Sequence, residues 1–315
     1  MSDVRQGPDW VCVNEQADWQ ARDSQGEFVY DGHMWILGGW FTPQTPNLRD
    51  VWKSPDGIHW TRTVEVAPWE QSDLPAAMVF GGKMWMMGGR SLPGTACSNQ
   101  VWSSTDGVEW ALETDDAGWS PRLGPGYAVF RDRMWILGGT EDFYESDETT
   151  LKNDVWSSAD GRTWRLELAN APWSKRAYGQ TVVFDGKLWH MGGGARAPAT
   201  VTRNDVWCSE DGASWTQVTD AAPWAPRLWF SAVVYRGRMW VIGGWSEEHG
   251  NFGDVWYSQD GVNWTELRSD VIWDARHEHS AFVFQDRIWV AGGYAESLNS
   301  EVWCLQIPER WFEDQ

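Results

Sequence analysis

No stretch of this chain approaches the roughly 18 consecutive apolar residues needed to cross a bilayer, so no membrane-spanning helix is expected. The opening residues, Met1-Ser2-Asp3-Val4-Arg5-Gln6-Gly7-Pro8, hold no apolar run, and no signal peptide is expected. Cysteine is scarce. The four present, Cys12, Cys97, Cys208 and Cys304, form neither a CxxC pair nor a metal-ligand spacing, which fits a reduced, cytoplasmic setting. Basic residues are also few: 25 Lys and Arg stand against 45 Asp and Glu, for a net charge of −20. Such a field repels phosphate backbones and anionic headgroups, so nucleic acid and membrane are not expected as partners.

Tryptophan and glycine are abundant, with 28 and 32 copies, and their spacing explains why. Gly-Gly pairs fall at 38–39, 88–89, 138–139, 192–193, 243–244 and 292–293, each after an apolar run such as Met134-Trp135-Ile136-Leu137. Val-Trp follows each pair, at 51–52, 101–102, 155–156, 206–207, 255–256 and 302–303. Five of these lead into S-x-D-G-x-x-W, for example Ser104 to Trp110, and a further Trp closes each unit. A period of about 50 residues with four short strands and an Asp-Gly hairpin per unit predicts a β-propeller. The fold class is therefore all-β: six blades of four antiparallel strands over residues 1–315. The repeats occupy 20–307, with a tail at 308–315. The sixth unit lacks a fourth strand, and residues 9–14 supply it, so the ring closes head to tail. Cys12 and Cys304 then lie diagonally on neighbouring strands, a placement that does not favour a disulfide.

The Gly-Gly pairs, the downstream strand-three aromatic and the closing Trp resemble the kelch repeat of galactose oxidase-like propellers, with Trp where Tyr is common. The hairpins resemble the Asp-box of sialidase-type propellers, one residue shorter between Asp and Trp, and are read as structural. The kelch resemblance implies the fold over Asp9 to Ile307. Its members include a copper oxidase, sugar mutarotases, iron-dependent specifier proteins and protein-binding modules, so function must be read from the site. The copper enzyme's Tyr/His/Cys set and the specifier motif E-x-x-x-D-x-x-x-H are not identifiable, and no cofactor is expected.

Residues that recur in register are scaffold. Arg22, Arg122, Arg176, Arg227 and Arg276 recur after the closing Trp, with Ser72 breaking the set, and they read as structural. Four positions per unit absorb 24 tryptophans and leave Trp40, Trp229, Trp245 and Trp311. The first three sit in loops on one face of the ring, where Tyr178, Phe230, Phe252 and Tyr294 join them. Asp23, Gln25, Asp73 and Arg90 add polar groups, and Glu141, Asp142 and Arg203 lie nearby. An aromatic-walled concavity with a few polar groups is the usual form of a ligand pocket, suited to a cationic, aromatic or sugar-like molecule. The same aromatics could instead pack loop on loop.

Closure also sets the first unit beside the last, bringing Glu27 towards His277, Glu278 and His279. Strand alternation predicts Glu27 and His279 on matching sides, as a general acid–base pair requires. These four are the catalytic candidates for a metal-independent isomerase, mutarotase or cyclase. One alternative is metal binding by His277 and His279, whose rings an H-x-H strand would place on one face, with a first-blade carboxylate. Another is that both histidines are merely solvated. His190 reads as a satisfied buried histidine. The competing function is a non-catalytic module that binds a peptide or partner protein, to which the acidic, aromatic loop Glu141 to Glu148 would contribute.

Overall fold

In the computed structural model, residues 7–42 and 46–313 are described; residues 1–6, read above for a signal, and the tail's last two lie outside them. Six four-stranded antiparallel sheets are arranged as a β-propeller. Blade 1 is Gly26–Tyr30, His33–Leu37, Val51–Ser54 and Thr61–Val64, counted from the axis outward, and blades 2 to 5 repeat it. Blade 6 takes Ser280–Phe284, Arg287–Ala291 and Val302–Gln306 from the C-terminal end, and Asp9–Asn14 from the N-terminal end as its outer strand. Val11 lies opposite Cys304 and Cys12 opposite Trp303, so the two cysteines are one step out of register, and both are free thiols. The only helix among the described residues is Glu309–Glu313, far too short to cross a membrane.

The repeated residues hold the blades in three ways. Each closing Trp is buried and meets the fourth-strand Trp of the next blade edge-on, with ring centroids 4.5–6.0 Å apart. Such pairs add roughly 0.5–1.5 kcal/mol each beyond their buried area. Each second-strand Trp donates its indole N–H to a carbonyl five residues back, as Trp85 does to Phe80. In five of the six blades that ring is then covered by the hairpin glycine of the following blade. Gly161 has φ +75°, and a Cβ there would stand 2.1 Å from the Trp85 ring, so only glycine fits. The preceding Ser158 hydroxyl accepts the Gly161 N–H at 2.8 Å, which fixes the turn.

The third device is the repeated arginine. Arg122 donates to the Gly138 carbonyl at 2.8 Å and makes a two-pronged contact with Asp154 at 2.6 and 2.9 Å. The same pattern joins Arg22 to Asp50, Arg176 to Asp205 and Arg227 to Asp254, while Arg276 uses Asn299 and Glu301. Blade 2 replaces both partners together, with Ser72 for arginine and Gln100 for the acid, and leaves no charge unpaired.

The tail does more than its sequence announces. Five second-strand tryptophans are covered by a hairpin glycine, but the hairpin that would cover Trp240 falls where the chain's two ends meet. Trp311 of the terminal helix fills that place, 6.4 Å from Trp240 and 5.2 Å from Tyr257, with Phe312 against Tyr235 at 5.9 Å. The buried Arg238 guanidinium lies over both new rings. Replacing Trp311 by Ala should cost about 2 kcal/mol, the value of a large apolar side chain withdrawn from burial. A urea midpoint unchanged from the parent chain would show that the helix merely rests there.

Candidate functional site

The funnel mouth is built by two rings of unrepeated residues. The segment entering each inner strand carries one left-handed residue: Ser24, Leu74, Tyr178, Trp229 and Glu278 have φ between +51° and +61°, and Gly124 holds the sixth place at +57°. Backbone hydrogen bonds of 2.8–3.2 Å link neighbours in this ring, from Ser24 through Leu74 and Gly124 to Tyr178, and from Trp229 through Glu278 back to Ser24. The residue before each of these pairs across a β-bridge with a residue just past its blade's Gly-Gly. Blades 1, 2 and 6 contribute Asp23 with Trp40, Asp73 with Arg90, and His277 with Tyr294. Blades 3, 4 and 5 contribute Leu123 with Thr140, Ala177 with Gly194, and Leu228 with Trp245. One half of the rim is therefore charged and the other uncharged and mostly apolar, and the charged half is assembled by ring closure.

These rings enclose a cavity of about 260 Å³ lined by Asp23, Trp40, Asp73, Arg90, Trp229, His277, Glu278 and Tyr294, all sequence candidates, with Ser24, Phe143 and Tyr144 besides. Gln25, Glu27, Tyr178, Phe230 and His279 line a narrower throat beneath, which shares Ser24, Trp229 and Glu278 with the mouth. Trp229 is the hub of the aromatic wall: Phe143 stacks on it at 6.2 Å and His277 at 5.3 Å, and Tyr178 packs tilted against it at 5.3 Å. Trp245 lines neither space; it backs Trp229 at 5.4 Å and carries Arg196 over its outer side. Phe252 lies against Arg227, outside the cavity. The three loop tryptophans do share one end of the ring.

Charge in the mouth is unevenly neutralised. Arg90 is buried, gives Nε and Nη2 to the Asp73 carboxylate, and has its guanidinium face on Phe143 at 4.2 Å. Among the described residues, neither Asp23 nor Glu278 forms an ion pair with Lys or Arg, and the Arg90 charge only partly offsets the burial of Glu278. Glu278 accepts the Ser24 hydroxyl at 2.6 Å and is hydrogen-bonded to Asp23. Burial, then the nearby Asp73 carboxylate, pushes Glu278 up to about 8, and burial with the Glu278 charge raises Asp23 well above the usual range. A neutral acid beside a carboxylate can both give and take a proton.

His277 is neutral, since burial lowers it to about 4. Its Nδ1 lies 2.6 Å from the Asn251 side-chain oxygen, and Asn251 gives its amide hydrogens to the carbonyls of Tyr294 and Ala295. Asn251 can therefore only accept from the ring, so the proton sits on Nδ1 and Nε2 carries the lone pair.

Two geometric expectations fail. The rings of His277 and His279 do not share a face, because Glu278 between them is left-handed at φ +51° and breaks the strand alternation. The His279 ring instead turns between blades 5 and 6, buried beside Trp273 at 5.6 Å, and neither of its nitrogens finds a hydrogen-bond partner. No Glu27–His279 pair is formed. Glu27 lies deeper in the channel, hydrogen-bonded to the Ala281 backbone, and burial raises it to about 8. Tyr127 shares that depth with it and was not legible as a candidate, because it stands at an ordinary inner-strand position. His190 is buried, bonded to Thr181 at 2.9 Å and packed on Trp173.

No family model and no curated protein matches this chain. Among solved structures, one titled "Structure of YjhT" superposes with a TM-score of 0.71 at 15% identity, covering 92% of this chain and 95% of that one. At that identity the likeness establishes the propeller and nothing about the contents of the funnel.

Proposed function

We propose that this chain is a kelch-type propeller that binds a small molecule in its funnel mouth, between the aromatic wall and the Asp23–Glu278 side. The observation that carries the reading is the division of the rim: the carboxylates, the guanidinium and the imidazole of the two rings gather on three adjacent blades, facing aromatic rings across about 260 Å³. A space of that size suits a compact ligand, and a surplus of carboxylate beside stacked rings favours one with a cationic or hydroxyl-rich face. A partner protein is the weaker reading, because Asp23, Asp73 and Arg90 are buried and reachable only through the mouth. Of the acid–base candidates, His277 and Glu278 line this cavity together with Asp23, whereas Glu27 and His279 do not.

A thermal-shift screen of amines, amino acids, polyols and sugars, with and without chelator, tests this. At least one class should raise the melting temperature of the parent chain by several degrees, and Tyr294→Ala and Trp40→Ala should abolish that rise. If no class stabilises the parent, or the variants respond as it does, the mouth is not a ligand site.

A further inference from the structure

We propose that Asp23, His277 and Glu278 hold a divalent transition-metal ion of the Zn²⁺, Co²⁺ or Mn²⁺ kind in the mouth, leaving part of its coordination sphere open to the cavity. One ligand atom from each residue lies within 4.8 Å of the other two, the only such group of three among the described residues. Two observations beyond this proximity support an ion. Asp23 and Glu278 are pressed together without forming an ion pair to Lys or Arg among the described residues; Arg90 is paired with Asp73, and its charge reaches Glu278 only from a distance and leaves it raised. A doubly charged ion supplies the missing countercharge.

The second observation is the histidine. Its tautomer is set by Asn251 from behind, as an outer partner orients a metal-ligating imidazole. Its ring packs against both Trp229 and Tyr294, at 5.3 and 5.5 Å, which restricts its rotation. The ring is thus held at a fixed place near two carboxylates, with Nε2 left as its free donor. One imidazole with two carboxylates selects borderline transition ions over Ca²⁺ and Mg²⁺, which prefer oxygen throughout. Three protein ligands facing a cavity are the arrangement of an open site, where a bound molecule completes the sphere, rather than of a closed structural one. The donor set differs from the one expected from sequence, with Glu278 standing where His279 was anticipated.

The proposal rests on the mouth being the ligand site, but its test needs no organic ligand, so the two fail separately. Chelator-stripped full-length chain is titrated calorimetrically with Zn²⁺, and with Co²⁺ while its visible absorption is followed. One ion per chain should bind, and Co²⁺ should develop the bands of a low-coordinate site. Asp23→Asn and His277→Ala should weaken binding at least 100-fold. Asn251→Ala, which removes no ligand and leaves the inner blades untouched, should weaken it about 10-fold. Native circular dichroism in the variants separates lost ligation from lost fold, and Asn251→Ala remains informative if Asp23→Asn fails to fold. Absence of one-to-one binding would overturn the site. So would binding retained in the Asp23 and His277 variants, which would assign the ion to surface histidines such as His33, His59 or His249.

Discussion

Arg122→Ser should destabilise the chain by about 3–5 kcal/mol, and adding Asp154→Gln should recover a substantial part of that loss. The single change removes the guanidinium from a two-pronged contact, leaving the mostly buried Asp154 carboxylate with only the Trp156 indole N–H and its own backbone N–H. Breaking a buried pair by removing one partner is costly because the remaining charge stays desolvated. The second change deletes that charge and keeps an oxygen for Trp156. Blade 2 already lives with this combination: the Ser72 hydroxyl donates to the Leu48 carbonyl at 2.6 Å, and Trp102 donates to Gln100 at 3.2 Å. Recovery should be incomplete, because the Gly138 and Ser120 carbonyls lose the bonds Arg122 gave them. Urea denaturation of the parent, both single variants and the double variant closes the cycle. If the double variant is no more stable than Arg122→Ser, the arginine acts through its bonds to backbone and not through the pair.

That Ser72 and Gln100 depart from the pattern together shows why the architecture was so legible. Where a unit recurs six times, a scaffold role can be read from register alone, and the Gly-Gly pairs, hairpins, closing tryptophans and N-terminal closing strand all stand where the period puts them. The mouth was legible by the complementary rule. Asp23, Asp73, Arg90, His277 and Glu278 break the repeat, and they do meet at one rim. Direction and depth were not legible. The alternation argument for His279 assumed an extended backbone through Glu278, but every blade bends there into the left-handed region, whatever residue it carries. That bend turns His279 between the blades and sends Glu27 a level below Glu278. The tail was equally opaque: nothing in Glu309 to Glu313 signals that it replaces a missing hairpin.

Glu27 supplies the second large effect. Its carboxyl is enclosed in the channel, burial raises it to about 8, and the Ala281 backbone bond offsets only part of that. Tyr127 is its titratable neighbour; burial and the Glu27 charge lift that phenol far above its usual range, so it stays neutral throughout. Below about pH 4.5 Glu27 is protonated whether the chain is folded or not, and titration contributes nothing. Between about 4.5 and 8 the unfolded chain has released the proton and the native state retains it. The native state then binds more protons, and stability falls as pH rises. Above about 8 both forms are ionised and the loss levels off, having reached a few kcal/mol at the roughly 1.4 kcal/mol that accompanies each tenfold change in proton affinity. Glu27→Gln keeps a carbonyl for the Ala281 N–H and cannot ionise. The variant should therefore melt like the parent at pH 4 and several degrees above it at pH 8.5. The other raised carboxyls, Asp23, Asp73 and Glu278, are common to both chains and drop out of the difference. A gap independent of pH would mean that Glu27 is already ionised in the folded protein, and an acid kept neutral in the channel would have to be given up.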